Sequence, residues 1–358
     1  MNILEILTKH EARSYHHEVP VAWERAKGWS VWDEDGNEYI DFTSGIFVAN
    51  IGHSHPSVVR TIQNQSGKML YSYAFPTEIR AKLIQKLIEI TGMEKVFLCS
   101  TGAEAGEAAI RCMRAYRKKT PSTPVIGLRN SFHGNTEGAK RILKYLHPGI
   151  MDKLEPPPIS GLMIESYLGY NAEFHNKEWI QRICAEAKSM DIPVCFDEVQ
   201  AGFGRTGKLF GYQHYDVELD LIVVGKALGG GLPISAVIGR ADLLDAPDDL
   251  SSTHSGNPVC CAAALATLKV LEEENLVEQA EKIGEWLEPI LKQEFPQYTI
   301  RGKGMIWAID IGDVELTKKI VESCAGKGLL LVQTNRGTIK IGPPLITPKQ
   351  VIKAGLFI

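Results

Sequence analysis

The sequence predicts an α/β fold: a large domain with a mainly parallel sheet flanked by helices, plus a smaller α+β domain. Three observations carry this expectation. Apolar runs of strand length alternate with segments of helical periodicity from about residue 56 to residue 240. Those runs are apolar almost throughout rather than at every second residue, as in strands buried on both faces. After Asn257 the alternation gives way to two long helices, then to short strands and a helix.

The opening stretch, MNILEILTKHEARSYHHE, carries Glu5 inside its apolar part and no basic leader, which argues against a signal peptide. In WSVWDEDGNEYIDF, Asp35-Gly36 stands between two apolar, aromatic runs, the mark of a hairpin. Helical periodicity covers Pro56 to Met69 and Glu78 to Thr91. KVFLCS is a buried strand leading to a helix from about Glu104 to Arg117. The basic end of that helix, Arg117-Lys118-Lys119 before Pro121, reads as solvated. PVIGL and GLMIES are strands, KEWIQRICAEAKSM is a helix, and IPVCFDEV, LDLIVVG and ISAVIG are strands. Helices to about Glu273 and from Glu278 to Glu294 introduce the last portion. The division expected is 1–50 as an N-terminal segment of the small lobe, 51–250 as the large ligand-binding domain, and 251–358 as an interface segment with the C-terminal small domain.

Composition narrows the function classes. The 358 residues are 44% hydrophobic and 23% charged with a net charge of −4, which gives no reason to expect nucleic acid or an anionic membrane as partner. The longest apolar run, Val259 to Leu271, is broken by Thr267 and Lys269 and is too short to span a bilayer. Seven cysteines, among them adjacent Cys260 and Cys261 and no C-x-x-C, fit reduced thiols in a cytoplasm. His53 and His55 in GHSHP have metal-like spacing, but Pro56 after them favours a turn and a capped helix, so no metal is expected. No G-x-S-x-G elbow is present.

Parallel sheets bind ligands at the carboxyl ends of their strands. KVFLCS runs into STGAEAGEAAIR, where the N–H groups of Gly102 and Ala103 and the hydroxyls of Ser100 and Thr101 could cradle a phosphate on a helix N-terminus. Plain N-capping explains the same letters, and Glu104 in the first turn supports it. PVIGL leads to NSFHGNT, putting Phe132 and His133 at a turn where an aromatic could stack on a flat ring. Asp197 closes a buried strand, where a carboxylate must be paired or protonated. Lys226 ends LIVVG, and desolvation there favours a nucleophilic amine. A phosphate cup, a flat-ring platform, a buried carboxylate and a strand-end lysine together make a site for pyridoxal phosphate. The lysine would form the Schiff base and the carboxylate would keep the pyridine nitrogen protonated.

GFGRTG, with Gly202, Gly204 and Gly207, spells a dinucleotide turn. The third glycine of such a turn sits inside a helix, and GRTGKLFGYQHYDVE has no helical period. That weighs against a nicotinamide cofactor.

The chain resembles the class-III, fold-type I pyridoxal-phosphate-dependent aminotransferases, such as those acting on ornithine, acetylornithine and 4-aminobutyrate. The stretches that carry the resemblance are VWDEDGNEYIDFTSGIFVANIGHSHP, STGAEAGEAAIR, FHGNT, FDEVQAGFGRTGKLFG, VGKALGGGLPISAVIGR, THSGNPVCCAAALATL and GPPL. It implies Lys226 as Schiff-base lysine and proton carrier, and Asp197 at the pyridine nitrogen. Val199 and Phe132 would flank the ring, with Gln200 at its phenolic oxygen. Gly102 and Ala103 would bind the phosphate, and Thr253 the phosphate of a neighbouring subunit. A homodimer with sites at its interface and a ping-pong transfer from an amine to a 2-oxo acid follow. Glu165 matches the family's active-site glutamate. Three departures bear on substrate: Tyr170 in ESYLGY where relatives carry a second glutamate, Asn135 in FHGNT where arginine is usual, and Lys340 in TIKIGPPL in place of another arginine. A lysine does not reproduce a bidentate fork on a carboxylate, so an atypical donor or acceptor is implied. The same cofactor site would also serve an aminomutase, racemase or decarboxylase, or a catalytically altered paralogue. The stretch between residues 135 and 165 is shorter than in relatives.

Overall fold

The computed structural model of the protein describes residues 3–12, 14, 19–118, 123–146 and 158–358. Among these residues the central sheet has seven strands, in the order Lys95–Cys99, Ser235–Gly239, Leu221–Val224, Val194–Asp197, Gly161–Glu165, Val125–Leu128 and Leu143–Leu146. Ser235–Gly239 is antiparallel to both of its neighbours, and every other pairing is parallel. The carboxyl ends of six strands therefore lie along one edge. Leu143–Leu146 is a strand the apolar pattern does not announce, because Lys144 interrupts it.

Strand periodicity divides the core. Cys195 and Met163 face the helix Gly102–Tyr116 and pack with its Ala105, Ala109 and Met113. Their neighbours Phe196 and Ile164 face the helix Lys177–Ser189 and pack with Trp179, Ile180 and Ile183. Both sides of the sheet are covered, which is why these strands read as continuous apolar runs. The first helix begins at Gly102, two residues before the periodicity does, because Thr101 and Glu104 form a capping box. Its far end departs from the solvated reading. Arg117 donates to the Met190 and Asp191 carbonyls at 3.3 and 2.7 Å, while Lys119 and Pro121 lie outside the described residues.

The hairpin is present: Ser30–Asp33 pairs antiparallel with Glu38–Asp41, and Gly36 turns between them at φ +84°. Trp23–Lys27 extends it on one side and Leu329–Leu330 pairs parallel on the other, so N-terminal and C-terminal strands share one sheet. A second four-stranded sheet joins Thr299–Lys303, Ile306–Asp310, Thr338–Ile341 and Val332–Thr334. His53 and His55 turn to separate partners. His53 Nε2 lies 2.6 Å from Asp41 Oδ2, whereas His55 accepts from the Ser57 N–H at the start of the helix Pro56–Ser66. Part of the shortened 135–165 stretch, residues 147–157, lies outside the described residues.

Candidate active site

Strand register brings two carboxylates together. Asp197 pairs with Glu165 on one side and with Val223 on the other, so both acids stand at adjacent strand ends. Lys226 follows Val224 by two residues and carries φ +42°, a left-handed conformation that non-glycine residues adopt mainly where surrounding structure imposes it. Phe132 and His133 arrive from the end of Val125–Leu128.

Each acid is fixed by two donors. Asp197 accepts from His133 Nδ1 at 2.8 Å and from the Val199 N–H at 3.1 Å. A carboxylate can only accept, so the proton of this pair sits on Nδ1 of His133. His133 is therefore packed behind Asp197, buried, rather than facing the cavity. Glu165 accepts from the N–H groups of Phe132 at 3.0 Å and Gly169 at 3.1 Å. Burial nevertheless pushes its carboxyl up to about 7. Burial also lowers the Lys226 amine, with Asp197 and Glu165 pulling the other way. The amine makes no hydrogen bond among the described residues, so it is available for chemistry.

Gln200 has a settled orientation. Its Oε1 accepts from the Tyr167 hydroxyl and, at 2.6 Å, from Lys340 Nζ. The Tyr167 hydroxyl could face either end of the amide, but an ammonium at Lys340 has no acceptor, so it places the oxygen there and leaves the amide nitrogen as the free end. Lys340 is buried and also donates to the Gly169 carbonyl. Its ammonium lies 4.3 Å from the Phe47 ring. Desolvation lowers it well below an ordinary lysine, and the charge of Lys226 adds to that.

At the helix start, the Glu104 carboxylate accepts from the N–H groups of Ser100 and Thr101 at 2.9 and 3.0 Å, and the Thr101 hydroxyl accepts from Glu104 at 3.2 Å. The capping reading is realised, and the N–H groups a phosphate would need are separate from those of the cap. The N–H groups of Ser100 and Thr101 and the Thr101 hydroxyl are engaged in the cap, and the Ser100 hydroxyl is not part of it. The N–H groups of Gly102 and Ala103 have no partner among the described residues and sit at the positive end of a 15-residue helix.

Phe132, Glu165, Tyr170, Gln200, Lys226 and Lys340 line a cavity of about 580 Å³, whose lining does not include Asp197, Val199 or the helix start at Gly102. Ile46 and Phe47 close one side. They belong to a left-handed turn, Ser44 to Phe47, with φ of +48°, +57°, +61° and +65°. Such angles cost about 1–3 kcal/mol per non-glycine residue. The turn is held by the Ser44 hydroxyl, which donates to the Gly342 carbonyl at 2.7 Å. Exposed Arg336, outside the cavity lining, lies 4.9 Å from the centre of the Tyr170 ring, and Tyr170 meets Phe132 edge to face at 5.8 Å.

The GFGRTG segment serves packing. Only the one-turn helix Gly211–His214 follows it. Gly204 and Gly207 have φ +86° and +85° and lie against Leu345 and Glu281. Arg205 is completely buried, donating to the carbonyls of Met305 (2.9 Å) and Pro343 (2.6 Å), to Ser44 Oγ (3.1 Å) and to Asn50 Oδ1 (2.6 Å). Glu198 accepts from the Gly211 and Tyr212 N–H groups at 2.6 and 2.7 Å, and burial raises it to about 8.

Besides the helix start, His133, Asp197 and Val199, two further sequence candidates lie outside the cavity lining. Asn135 is exposed and does not line it. Thr253 is exposed, with its carbonyl accepting from the Tyr71 hydroxyl at 2.9 Å. Conversely, Phe47, Tyr167 and Arg205 enter the site or its frame without having been singled out from the sequence. Only the GFGRTG spelling drew attention to the neighbourhood of one of them.

The residues fit pyridoxal phosphate. Two free N–H groups offer a phosphate seat, Asp197 is a braced carboxylate, and Lys226 is an unbonded amine in the cavity wall. A Cβ on Gly102 would come within 2.8 Å of Val199 Cγ1, so glycine alone lets the helix end approach Val199 this closely. Residues 11–142 and 137–358 match the family model described as aminotransferase class-III. The chain is 33% identical over 383 residues to the acetylornithine aminotransferase of Methanocaldococcus jannaschii, covering 96% of this chain and 94% of that one. It is 33% identical over 396 residues to the 5-aminovalerate aminotransferase DavT of Pseudomonas aeruginosa, covering 95% and 92%. Its fold is similar to the crystal structure of acetylornithine aminotransferase from Elizabethkingia anophelis, with a TM-score of 0.89, 30% identity and coverage of 99% and 96%.

Proposed function

The chain belongs to the class-III aminotransferases, and we propose how its own residues carry out transfer of an amino group from an amine or ω-amino compound to a 2-oxo acid. When bound, pyridoxal phosphate supplies an electron sink for the charge that develops on the carbon bearing the amine. Lys226 would hold the cofactor through its amine and, once freed, would carry a proton at the substrate carbon that bears the amine. Burial supports both roles by keeping a larger share of that amine uncharged. Asp197 holds a proton at the pyridine nitrogen, and His133 with the Val199 N–H keeps that carboxylate aligned. Gly102 and Ala103 hold the phosphate at the helix end. Val199 and Phe132 flank the ring, and the free amide nitrogen of Gln200 donates to the phenolic oxygen. Glu165 shapes the substrate side.

The single observation that supports this reading best is the register pairing of Asp197 with Glu165 beside an unbonded Lys226. A homodimer is part of the proposal. Exposed Leu70 (63%), Tyr73 (52%) and Phe75 (75%) form an apolar run next to the Thr253 loop, and Thr253 would reach the phosphate of the partner subunit. The seven cysteines are free, which supports a reducing cytoplasm. The lobes at 1–50, 51–250 and 251–358 remain the proposed division.

The test is a half-reaction screen. Added amine should change the visible absorption of the bound cofactor, and a 2-oxo acid should restore it with release of a new amino acid. Lys226→Ala should retain its fold and lose turnover by about 10³-fold or more. Release of carbon dioxide or inversion of the substrate without amino transfer would sink the transfer reading.

A further inference from the structure

The cofactor reading gives tasks to Lys226 and Gln200 but none to Lys340, although all three line the cavity. Lys340 is buried, and three groups surround its Nζ. It donates to the Gly169 carbonyl and, at 2.6 Å, to Gln200 Oε1, and it lies 4.3 Å from the centre of the Phe47 ring. An ammonium has three N–H bonds, so two oxygens and one ring face occupy it fully. No donor remains to grip a substrate.

The oxygen that Lys340 holds belongs to an amide whose two ends are chemically opposite. Gln200 Oε1 also accepts from the Tyr167 hydroxyl, but a hydroxyl donates or accepts and would bond either end. Lys340 only donates, so it is the partner that decides which way the amide faces. Gly169 closes the arrangement. Its N–H donates to Glu165 Oε1 at 3.1 Å, and a Cβ there would come within 2.8 Å of Glu165 Oε1 and 3.1 Å of Gln200 Oε1. Only glycine lets this backbone pass so close to both side chains.

We propose that Lys340 is a positioning residue: it locks the Gln200 amide so that its nitrogen, not its oxygen, meets the phenolic oxygen of the cofactor. This rests on the reading of the cavity as a pyridoxal-phosphate site. Without the lock the amide turns over freely, and in half of its orientations an oxygen faces an oxygen that carries negative charge. The position at which the resemblance expects an arginine thus acts on the cofactor's electronics rather than on the substrate.

The experiment is a pH titration of the holoenzyme that follows the visible band of the bound cofactor. It compares wild type, Lys340→Met, Gln200→Ala and the double variant. An N–H donor favours the ionised phenolic oxygen, so its loss raises the midpoint of the titration. The lost charge of Lys340 acts in the same direction, and the two backgrounds separate these effects. Lys340→Met should raise the midpoint by about one unit more when Gln200 is present than when it is Ala, the size of a hydrogen bond to a charged group. The charged groups around Lys340, namely Lys226, Glu165 and Arg205, stay in every variant. Tyr167→Phe should move the midpoint by less than about 0.3 unit, because the lysine alone sets the amide. Lys340→Arg, also a pure donor, should stay within about half a unit of wild type, and it decides the matter if Lys340→Met does not fold. Equal shifts in the two backgrounds, a Tyr167→Phe shift as large as that of Lys340→Met, or a full-unit shift in Lys340→Arg would each overturn the assignment. If wild type shows no visible band with pyridoxal phosphate, the cofactor reading falls and the assignment with it. A band with equal shifts in both backgrounds overturns the assignment alone.

Discussion

At the floor of the cavity and the strand end beside it, Glu165, Gln200 and Asp197 each have two hydrogen-bond partners. Beside the mouth and outside the cavity lining, Arg336 is held, among the described residues, only by the ring of Tyr170. The floor grows from parallel strand ends of the large sheet, where register alone sets Asp197 beside Glu165. The mouth comes from a turn of the C-terminal sheet and has no such lattice behind it. Chemistry that is the same for every substrate needs groups fixed within fractions of an ångström. The departures Tyr170 and Lys340 fall where those two regions meet.

Three further substitutions would break or sharpen that contrast. Asp197→Asn, at the floor, should cost about 10²–10³ in kcat/KM, equally for amines with and without a carboxylate. A loss confined to one substrate class would erase the division between floor and mouth. Arg205→Met acts on the joint between them, because the guanidinium ties Ser44 and Asn50 to Met305 and Pro343. Removing it strands those acceptors in the interior. Denaturant unfolding should show a loss of about 3–5 kcal/mol, and a loss under about 1 kcal/mol would remove Arg205 from the frame.

The smallest effect concerns Glu198. Its folded value near 8 lies above the ordinary 4.5, so the folded state keeps a proton that the unfolded state releases. The stability this contributes is complete below about pH 4.5 and is lost as pH rises through about 8. Glu198→Gln keeps an acceptor for Gly211 and Tyr212 without titrating. Its stability should therefore decline less steeply than wild type from pH 5 to 8. Parallel pH profiles for the two proteins would show that Glu198 is not the titrating group.

Much of the floor was legible in the sequence because of where polar residues interrupt apolar runs. Asp197 and Lys226 each terminate a run that must be buried, and a charged residue at such a point is hard to explain as packing. The helix start was legible but ambiguous: the letters STGAE serve a cap and an anion seat equally. Only coordinates show that Glu104 satisfies Ser100 and Thr101 and leaves Gly102 and Ala103 open. His133 looked like a ring-facing residue from its turn, yet a pairing 64 positions away turns it behind Asp197.

By itself the sequence determined the alternation of strands and helices, the strand-end acid and lysine, and the family these belong to. The alternation follows from periodicity and from the free energy of burying apolar surface, which act over a few residues at a time, and the family follows from the resemblance of the motifs. Tertiary structure alone decided which glycine-motif residues frame the site, that Ile46 and Phe47 form a left-handed turn at its wall, and that Lys340 is spent on Gly169 and Gln200. Those outcomes depend on partners a hundred or more residues apart, such as Arg205 with Met305 and Lys340 with Gln200. No local pattern encodes whether a donor will find its acceptor once the chain has folded.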